Sequence, residues 1–169
     1  MTLEVRRLRA SDPTKAFRCG HNGLDYFLRK YALANDNEGL SATWVCVDGL
    51  SVAGFVTVVA KSVEATVLQG AVPNLPAYPV PVLLLARMGA AKKLQKKGIG
   101  RLLLRPVYQT AVEQAGLSGC AGVFTDAKPD AVGFYTKVGF VVVRAPHSED
   151  DTTGMFMPLA AVRAALLAA

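Results

Sequence analysis

The succession of apolar patterns along the chain predicts a mixed α/β fold, in the order strand, helix, three strands, helix, strand, helix and two strands. Three observations carry that prediction. Two Val- and Thr-rich runs, 42–47 and 52–63, flank Asp48-Gly49, a pair that favours a tight hairpin. A strand with few polar positions, 82–88, leads into a glycine-opened amphipathic segment, 98–115. Short strand and helix patterns then alternate to the end of the chain. With no internal repeat and no low-complexity linker, residues 1–169 are expected to form a single domain with its own core.

Each element has its local reason. Leu3 to Leu8 reads as a first strand, stopped by Ser11-Asp12-Pro13. Leu24, Phe27, Leu28, Tyr31 and Ala32 then recur at helical spacing, in a helix entered near Asn22 and finished by residues 35–39. After the hairpin, residues 64–81 carry Pro73, Pro76, Pro79 and Pro81. Proline has no amide proton to give to a helix or a ladder, so a long, partly rigid loop is expected there. In the segment 98–115, Ile99, Leu102, Leu103, Val107 and Val112 offer a core face, and Pro106 is expected to bend or locally break the helix. A strand at 122–126, a helix at 130–138, strands at 140–144 and 152–157 and a helical tail at 158–168 complete the order.

Composition removes several classes. Hydrophobic residues at 51% and charged residues at 19% exclude a solvated disordered chain. No apolar stretch follows the basic start in the manner of a secretory signal, and runs such as 82–86 and 138–143 fall far short of the ~20 residues of a membrane span. Cys19, Cys46 and Cys120 are odd in number and contain no CxxC pair, and His21 and His147 are the only histidines. Neither a disulfide framework nor a metal centre is encoded, and a soluble cytoplasmic protein without a membrane partner is expected.

The charge is informative. The chain carries 19 Lys and Arg against 13 Asp and Glu, a net +6. Residues 65–112 hold Arg87, Lys92, Lys93, Lys96, Lys97, Arg101 and Arg105 and no acid, so the rest of the chain is at −1. An excess concentrated in this way points to a polyanionic ligand or partner. Inside the window lies Gln95-Lys96-Lys97-Gly98-Ile99-Gly100-Arg101, between a buried strand and a helix. Glycines let backbone amides approach a ligand, and the first turn of a helix offers unpaired N–H groups at its positive end, a combination suited to a pyrophosphate. A dinucleotide fingerprint would need a third glycine and a downstream acid, and a P-loop would need Gly-Lys-Ser/Thr; neither is present.

Gln95-x-x-Gly98-x-Gly100 resembles the acetyl-CoA-binding motif of the GCN5-related N-acetyltransferase (GNAT) superfamily. Gly133-Phe134-Tyr135-Thr136-Lys137-Val138-Gly139-Phe140 is similar to that superfamily's F-Y-x-x-x-G-F segment. Phe17-x-Cys19-Gly20 with Leu24-Asp25-x-Phe27-Leu28, and Leu75-Pro76-x-Tyr78-Pro79-x-Pro81-Val82 with Leu85-Ala86-Arg87, resemble its toxin branch. The resemblance implies a GNAT fold: a mixed, mostly antiparallel central sheet with a splayed strand pair forming a V-shaped cleft, flanked by helices. It implies acetyl-CoA as the acetyl donor. The backbone of Met88, Gly89 and Ala90 would pair with the pantetheine arm, the amides of Gln95, Lys96, Lys97, Gly98, Ile99, Gly100 and Arg101 would hold the pyrophosphate, and Phe134 would border the cofactor. Two departures stand out: Gly89-Ala90-Ala91 replaces the more usual Ala-Val-Asp, and Lys96 stands where these toxins often carry glycine.

The resemblance also makes Tyr135 the general acid for the departing thiolate, which a phenol with a pKa near ~10 can serve at neutral pH. Between Glu64 and Glu113 no carboxylate is available as a base, which favours an α-amine acceptor (pKa ~7.7–8.0) over a lysine at ~10.4. In the toxin branch that acceptor is aminoacyl-tRNA, and Arg87, Lys92 and Lys93 are candidates to contact it. Arg87 has a competing reading as a structural arginine paired with a core carboxylate. The expected partners are a ribbon-helix-helix antitoxin and a second copy of the chain as a homodimer. Two other functions stay open on the residues alone: an acetyltransferase for a small amine or a protein N-terminus, and a non-catalytic module that binds CoA or RNA.

Overall fold

The computed structural model describes residues 2–168. Seven strands are hydrogen-bonded in the order β1-β2-β3-β4-β5-β7-β6, with six α-helices: β1 Leu3–Arg7, α1 Asn22–Lys30, α2 Ala32–Asn37, β2 Ala42–Asp48, β3 Ser51–Val63, α3 Ala65–Leu68, β4 Val80–Ala90, α4 Ile99–Leu117, β5 Gly122–Ala127, α5 Val132–Val138, β6 Val141–Arg144, β7 Thr153–Pro158 and α6 Leu159–Ala168. The pairs β1–β2, β2–β3, β5–β7 and β6–β7 are antiparallel, and β4 runs parallel to β5. The mixed, mostly antiparallel sheet expected from the sequence is therefore present. Contacts gather in two compact units, Met1–Val59 with Ala86–Val107 and Ala60–Leu85 with Tyr108–Ala169.

In the first unit the β2–β3 hairpin closes with Asp48 opposite Ser51, and Gly49 takes φ +59 in the two-residue turn, the left-handed backbone for which the Asp-Gly pair is suited. Its core gathers Phe17, Phe27, Leu28, Val45, Val52 and Phe55. Phe17 meets Phe55 edge-on at 5.6 Å, and Phe27 stacks on the same ring at 6.5 Å, so α1 is held to the sheet by aromatic contacts. The helical pattern read from Leu24 to Ala32 is divided at Tyr31, with φ −117 and ψ −28, into α1 and α2. Leu24, Phe27 and Leu28 before the break and Ala32 and Leu33 after it pack into the core, while Tyr31 between them is exposed.

In the second unit Phe124 and Phe156 pack with Val63, Leu68, Val80 and Val82. The stretch read as a loop without regular elements contains α3, and β4 begins at Val80 instead of Val82. Ala65 and Leu68 are buried, which gives that single turn a packing reason that the prolines alone do not reveal. Pro81 sits exposed near the start of β4, a position proline tolerates. α6 packs on β5 and β7 through the buried Val162, and its first amide, Leu159, donates to the Ala121 carbonyl at 2.9 Å.

Pro106 does not break α4, which runs unbroken from Ile99 to Leu117. The ring removes one amide donor and frees the carbonyl of Leu102, whose residue is solvent-exposed. Buried Ile99, Leu103, Leu104, Val107 and Ala111 anchor the helix on both sides of the interruption.

Candidate active site

The cofactor motif lies wholly in the first unit. After β4 the chain makes a 3-10 turn at Lys92–Leu94 and reaches Gln95 in extended backbone. Lys96 then adopts φ +63 and Gly98 φ +88. Two left-handed residues two apart curl the loop so that successive amides converge, the arrangement that forms an anion-binding nest. The first bond of α4 runs from the Leu102 amide to the Gly98 carbonyl at 3.2 Å. The amides of Ile99, Gly100 and Arg101 come before it and have no acceptor within the helix. Lys96, Lys97 and Arg101 are exposed around these donors. Backbone donors, helix dipole and charge thus share one place, and the loop fits a pyrophosphate.

The loop is tied down by bonds that motif reading does not show. The Gln95 side-chain amide donates to the Cys19 carbonyl at 2.7 Å and to the Ala90 carbonyl at 3.2 Å. The Lys92 amide donates to the Arg18 carbonyl and the Ala91 amide to the Ala53 carbonyl, both at 2.8 Å. Gln95 was expected among the cofactor contacts. Its side chain fastens the loop to the Arg18–Cys19 segment and to the end of β4, leaving its backbone as the part available to a ligand. Nothing in the sequence links Gln95 to a residue 76 positions away.

Cys19 lies at the centre of that fastening. Its amide donates to buried Asp25 at 3.0 Å, and burial pushes its thiol up to about 11. It is an inert thiol, as are the buried Cys46 and Cys120, whose pKa values burial also raises. A methyl group on Gly89 would come within 3.2 Å of both Cys19 Cβ and Sγ, so the glycine in the first departure from the family pattern matches this neighbour. Met88, Gly89 and Ala90 are each partly exposed.

Arg87 is exposed on β4, with its guanidinium 4.0 Å over the Phe27 ring. Among the described residues it has no ion pair, which removes the reading of a core carboxylate partner. Arg29 similarly lies 5.4 Å over Tyr26, and Lys92 and Lys93 are exposed. Arg6 and Arg7 behave differently: Arg6 grips Asp12 with two bonds of 2.9 and 2.8 Å, and Arg7 pairs with Asp36 while lying 4.8 Å over Trp44. Those two arginines are committed to the fold.

Tyr135 and Phe134 belong to the second unit. Gly139 ends α5 at φ +110, and the amides of Gly139 and Phe140 return to Thr136 and Tyr135 at 3.1 and 2.9 Å. This turn places Phe140 against Tyr135, with ring centroids 5.2 Å apart, and Phe134 touches the other side at 5.3 Å. The glycine and the last aromatic of the motif therefore serve to hold the tyrosine. Tyr135 is 5% exposed, and buried Thr125, whose hydroxyl donates to the Leu85 carbonyl at 2.9 Å, and Tyr108 on α4 are the groups that act on its titration. Burial raises its pKa well above the usual phenol range, with the Thr125 hydroxyl acting in the opposite direction. The phenol is fully protonated at neutral pH. Thr125 was not anticipated from the sequence, where it is one more β-branched residue in a strand.

Asp126 is bound by Arg144 at 2.8 Å, and Glu64 is exposed at the N-terminal end of α3. No metal-binding group of His, Cys, Asp and Glu occurs among the described residues, and no helix there is long and apolar enough to cross a membrane.

Comparisons with known proteins agree with this geometry. Residues 39–142 match the acetyltransferase (GNAT) domain family. A tRNA-acetylating toxin of Mycobacterium tuberculosis is 36% identical over 139 residues, covering 81% of this chain and 83% of that protein. Among solved structures, a bacterial toxin superposes with a TM-score of 0.90 at 24% identity, over 98% of this chain and 96% of that one. AtaT complexed with acetyl-methionyl-tRNAfMet does so with a TM-score of 0.80 at 20% identity, over 96% and 98%. A tyrosine-to-phenylalanine variant of AtaT, bound to the C-terminus of the antitoxin AtaR and acetyl-CoA, gives 0.77 at 20% identity, over 96% of each chain. The chain belongs to the GNAT family of acetyl-CoA-dependent N-acetyltransferases, in the branch that includes the tRNA-acetylating toxin.

Proposed function

We propose that this N-acetyltransferase is a toxin that transfers the acetyl group of acetyl-CoA to the α-amino group of aminoacyl-tRNA and so blocks translation. The carrying observation is the cradle at Lys96–Arg101: left-handed backbone, unpaired helix amides and three exposed cations in a stretch that has no acid. Acetyl-CoA, once bound, supplies an acyl group activated as a thioester. The amides of residues 96–101 hold its pyrophosphate, and the backbone of Met88, Gly89 and Ala90 lines up its pantetheine arm. Phe134 borders the same cofactor. Tyr135 holds a proton at Oη for the departing sulfur.

The acceptor follows from charge and protonation. An α-amine is already partly neutral near pH 7.7–8.0, about where such groups titrate, and requires no strong base for attack. Arg87, Lys92 and Lys93 are exposed cations with no carboxylate partner among the described residues, and they suit the phosphates of an RNA. The 36% identical tRNA-acetylating toxin supports this acceptor over a free small amine. A ribbon-helix-helix antitoxin neutralises the enzyme, which acts in the cytoplasm.

The direct test is incubation of purified protein with radiolabelled acetyl-CoA and charged tRNA. Label should enter the aminoacyl group and be absent from uncharged tRNA. Growth should stop when the gene is expressed alone and resume with the antitoxin. Acetylation of polyamines or peptide N-termini with charged tRNA untouched would overturn the reading.

A further inference from the structure

Arg18 and Cys19 lie between a 3-10 turn at Thr14–Ala16 and α1, outside any helix or strand, so their backbone groups need partners from elsewhere. They find them on the stretch that leads from β4 into the cofactor loop. The Arg18 carbonyl accepts from the Lys92 amide at 2.8 Å, and the Cys19 carbonyl accepts from the Gln95 side chain at 2.7 Å. The Cys19 side chain lies against Gly89, where an added Cβ would come within 3.2 Å of it. Two consecutive residues thus touch the turn from β4 into the loop at its start, its middle and its end.

Cys19 is itself held by Asp25. Gly20 takes φ +96 and turns the chain between Cys19 and α1. Asp25, in the first turn of that helix, reaches back to accept the Cys19 amide at 3.0 Å. Asp25 is 4% exposed and Cys19 2%, so water does not compete for the bond. Among the described residues no other carboxylate and no cation is buried. Burying a carboxylate is costly unless it is hydrogen-bonded. A first-turn acid would serve the helix dipole equally well from the surface, so helix stability does not account for the burial.

We propose that Asp25 is a positioning residue for acetyl-CoA binding: by holding the Cys19 amide it fixes the carbonyls to which Lys92 and Gln95 fasten, and so keeps the 95–101 loop in its binding form. The inference rests on that loop holding the pyrophosphate. Without the carboxylate oxygen the Cys19 amide is left buried and unpaired, and the segment must shift to find water or another acceptor. The acceptors of Lys92 and Gln95 move with it. Lys96 and Gly98, both left-handed, then lose the anchor that precedes them, and the amides that converge on a pyrophosphate spread apart. Asp25 touches no part of the cofactor loop in this chain of bonds and acts only through Cys19.

The test is acetyl-CoA titration calorimetry on the full-length protein and its variants, with a thermal unfolding curve for each. Asp25→Ala should raise the acetyl-CoA Kd about fivefold or more. Asp25→Asn, which keeps an acceptor oxygen, should stay within about twofold of wild type. Leu24→Ala truncates a core contact one residue away on the same helix. It should lower the unfolding midpoint with Kd within about twofold, which separates positioning from lost stability. In a Gln95→Ala background, Asp25→Ala should cost less than about half the factor it costs alone, because one of its two relays is gone. An unchanged Kd in folded Asp25→Ala overturns the inference. So does an equal loss in Asp25→Asn, an equal loss in Leu24→Ala, or the full loss in the Gln95→Ala background. If Asp25→Ala does not fold, Asp25→Ser takes its place: a Kd rise of about twofold or more supports the inference and a smaller one overturns it. If Gly98→Ala binds acetyl-CoA as wild type does, the placement of the pyrophosphate falls, and the inference with it, on a separate measurement.

Discussion

The cofactor cradle and the Tyr135 pocket do their work by opposite means. The cradle is exposed, and its essential groups are backbone amides whose direction depends on two left-handed residues. Its side chains either project into solvent, as Lys97 and Arg101 do, or act as fasteners, as Gln95 does. The Tyr135 pocket is almost closed to water and presents one phenol, flanked by two aromatic rings. On the proposed function, binding energy is spread over many interchangeable donors, while the proton transfer falls on a single group. Substitutions should divide along the same line: graded losses of affinity in the cradle, and a sharp loss of turnover in the pocket.

The largest effect belongs to the pocket. Tyr135→Phe removes only the acidic oxygen and should lower kcat by at least about 100-fold, with acetyl-CoA affinity nearly unchanged by calorimetry. A parallel loss of affinity would blur the division. Next comes Gly98→Ala. The space around Gly98 is open, with nothing within 4 Å of an added Cβ, so the whole cost is the φ of +88. That strain, roughly 1–2 kcal/mol, should raise the acetyl-CoA KM about tenfold at nearly constant kcat.

Gly89→Ala probes the base of the cradle, where the new methyl meets Cys19 at 3.2 Å. A stability loss of about 1 kcal/mol in urea titration is expected, with partial recovery when Cys19→Ala is added. Lys96→Gly should be milder. It relieves a left-handed lysine at φ +63 and removes one charge, so the KM for acetyl-CoA should rise about twofold while stability moves by less than about 1 kcal/mol.

The smallest effect concerns Cys19 and pH. Its folded pKa, about 11, lies above the ordinary thiol value near ~8.5, so folding favours the protonated form. That contribution is complete below the ordinary value and is lost as pH rises through about 11. The alkaline decline in unfolding midpoint should be shallower in Cys19→Ala.

The pattern of strands and helices was legible in the chain because local signals agreed with packing: the Asp48-Gly49 hairpin, the buried run of β4 and the glycine-opened α4 all formed where their residues point. Local signals misled where packing outweighed them. Pro106 was expected to bend or break α4, but buried side chains before and after it keep the helix continuous. Proline-rich residues 64–81 still make the turn of α3, because Ala65 and Leu68 have a core to enter.

By itself the sequence determined the make-up of the 95–101 loop, since glycines, cations and a helix start lie within a few consecutive residues. It also marked Tyr135 through a contiguous motif whose glycine must take a left-handed turn. Only the tertiary structure decided how these groups are held. Gln95 finds its acceptors on Cys19 and Ala90, Arg87 lies on Phe27 instead of a carboxylate, and Thr125 bonds to Leu85. Each of these contacts joins residues from separate segments, most of them far apart in the chain. A hydrogen bond or ring contact depends on angstrom-scale placement in space, which local composition and spacing do not specify.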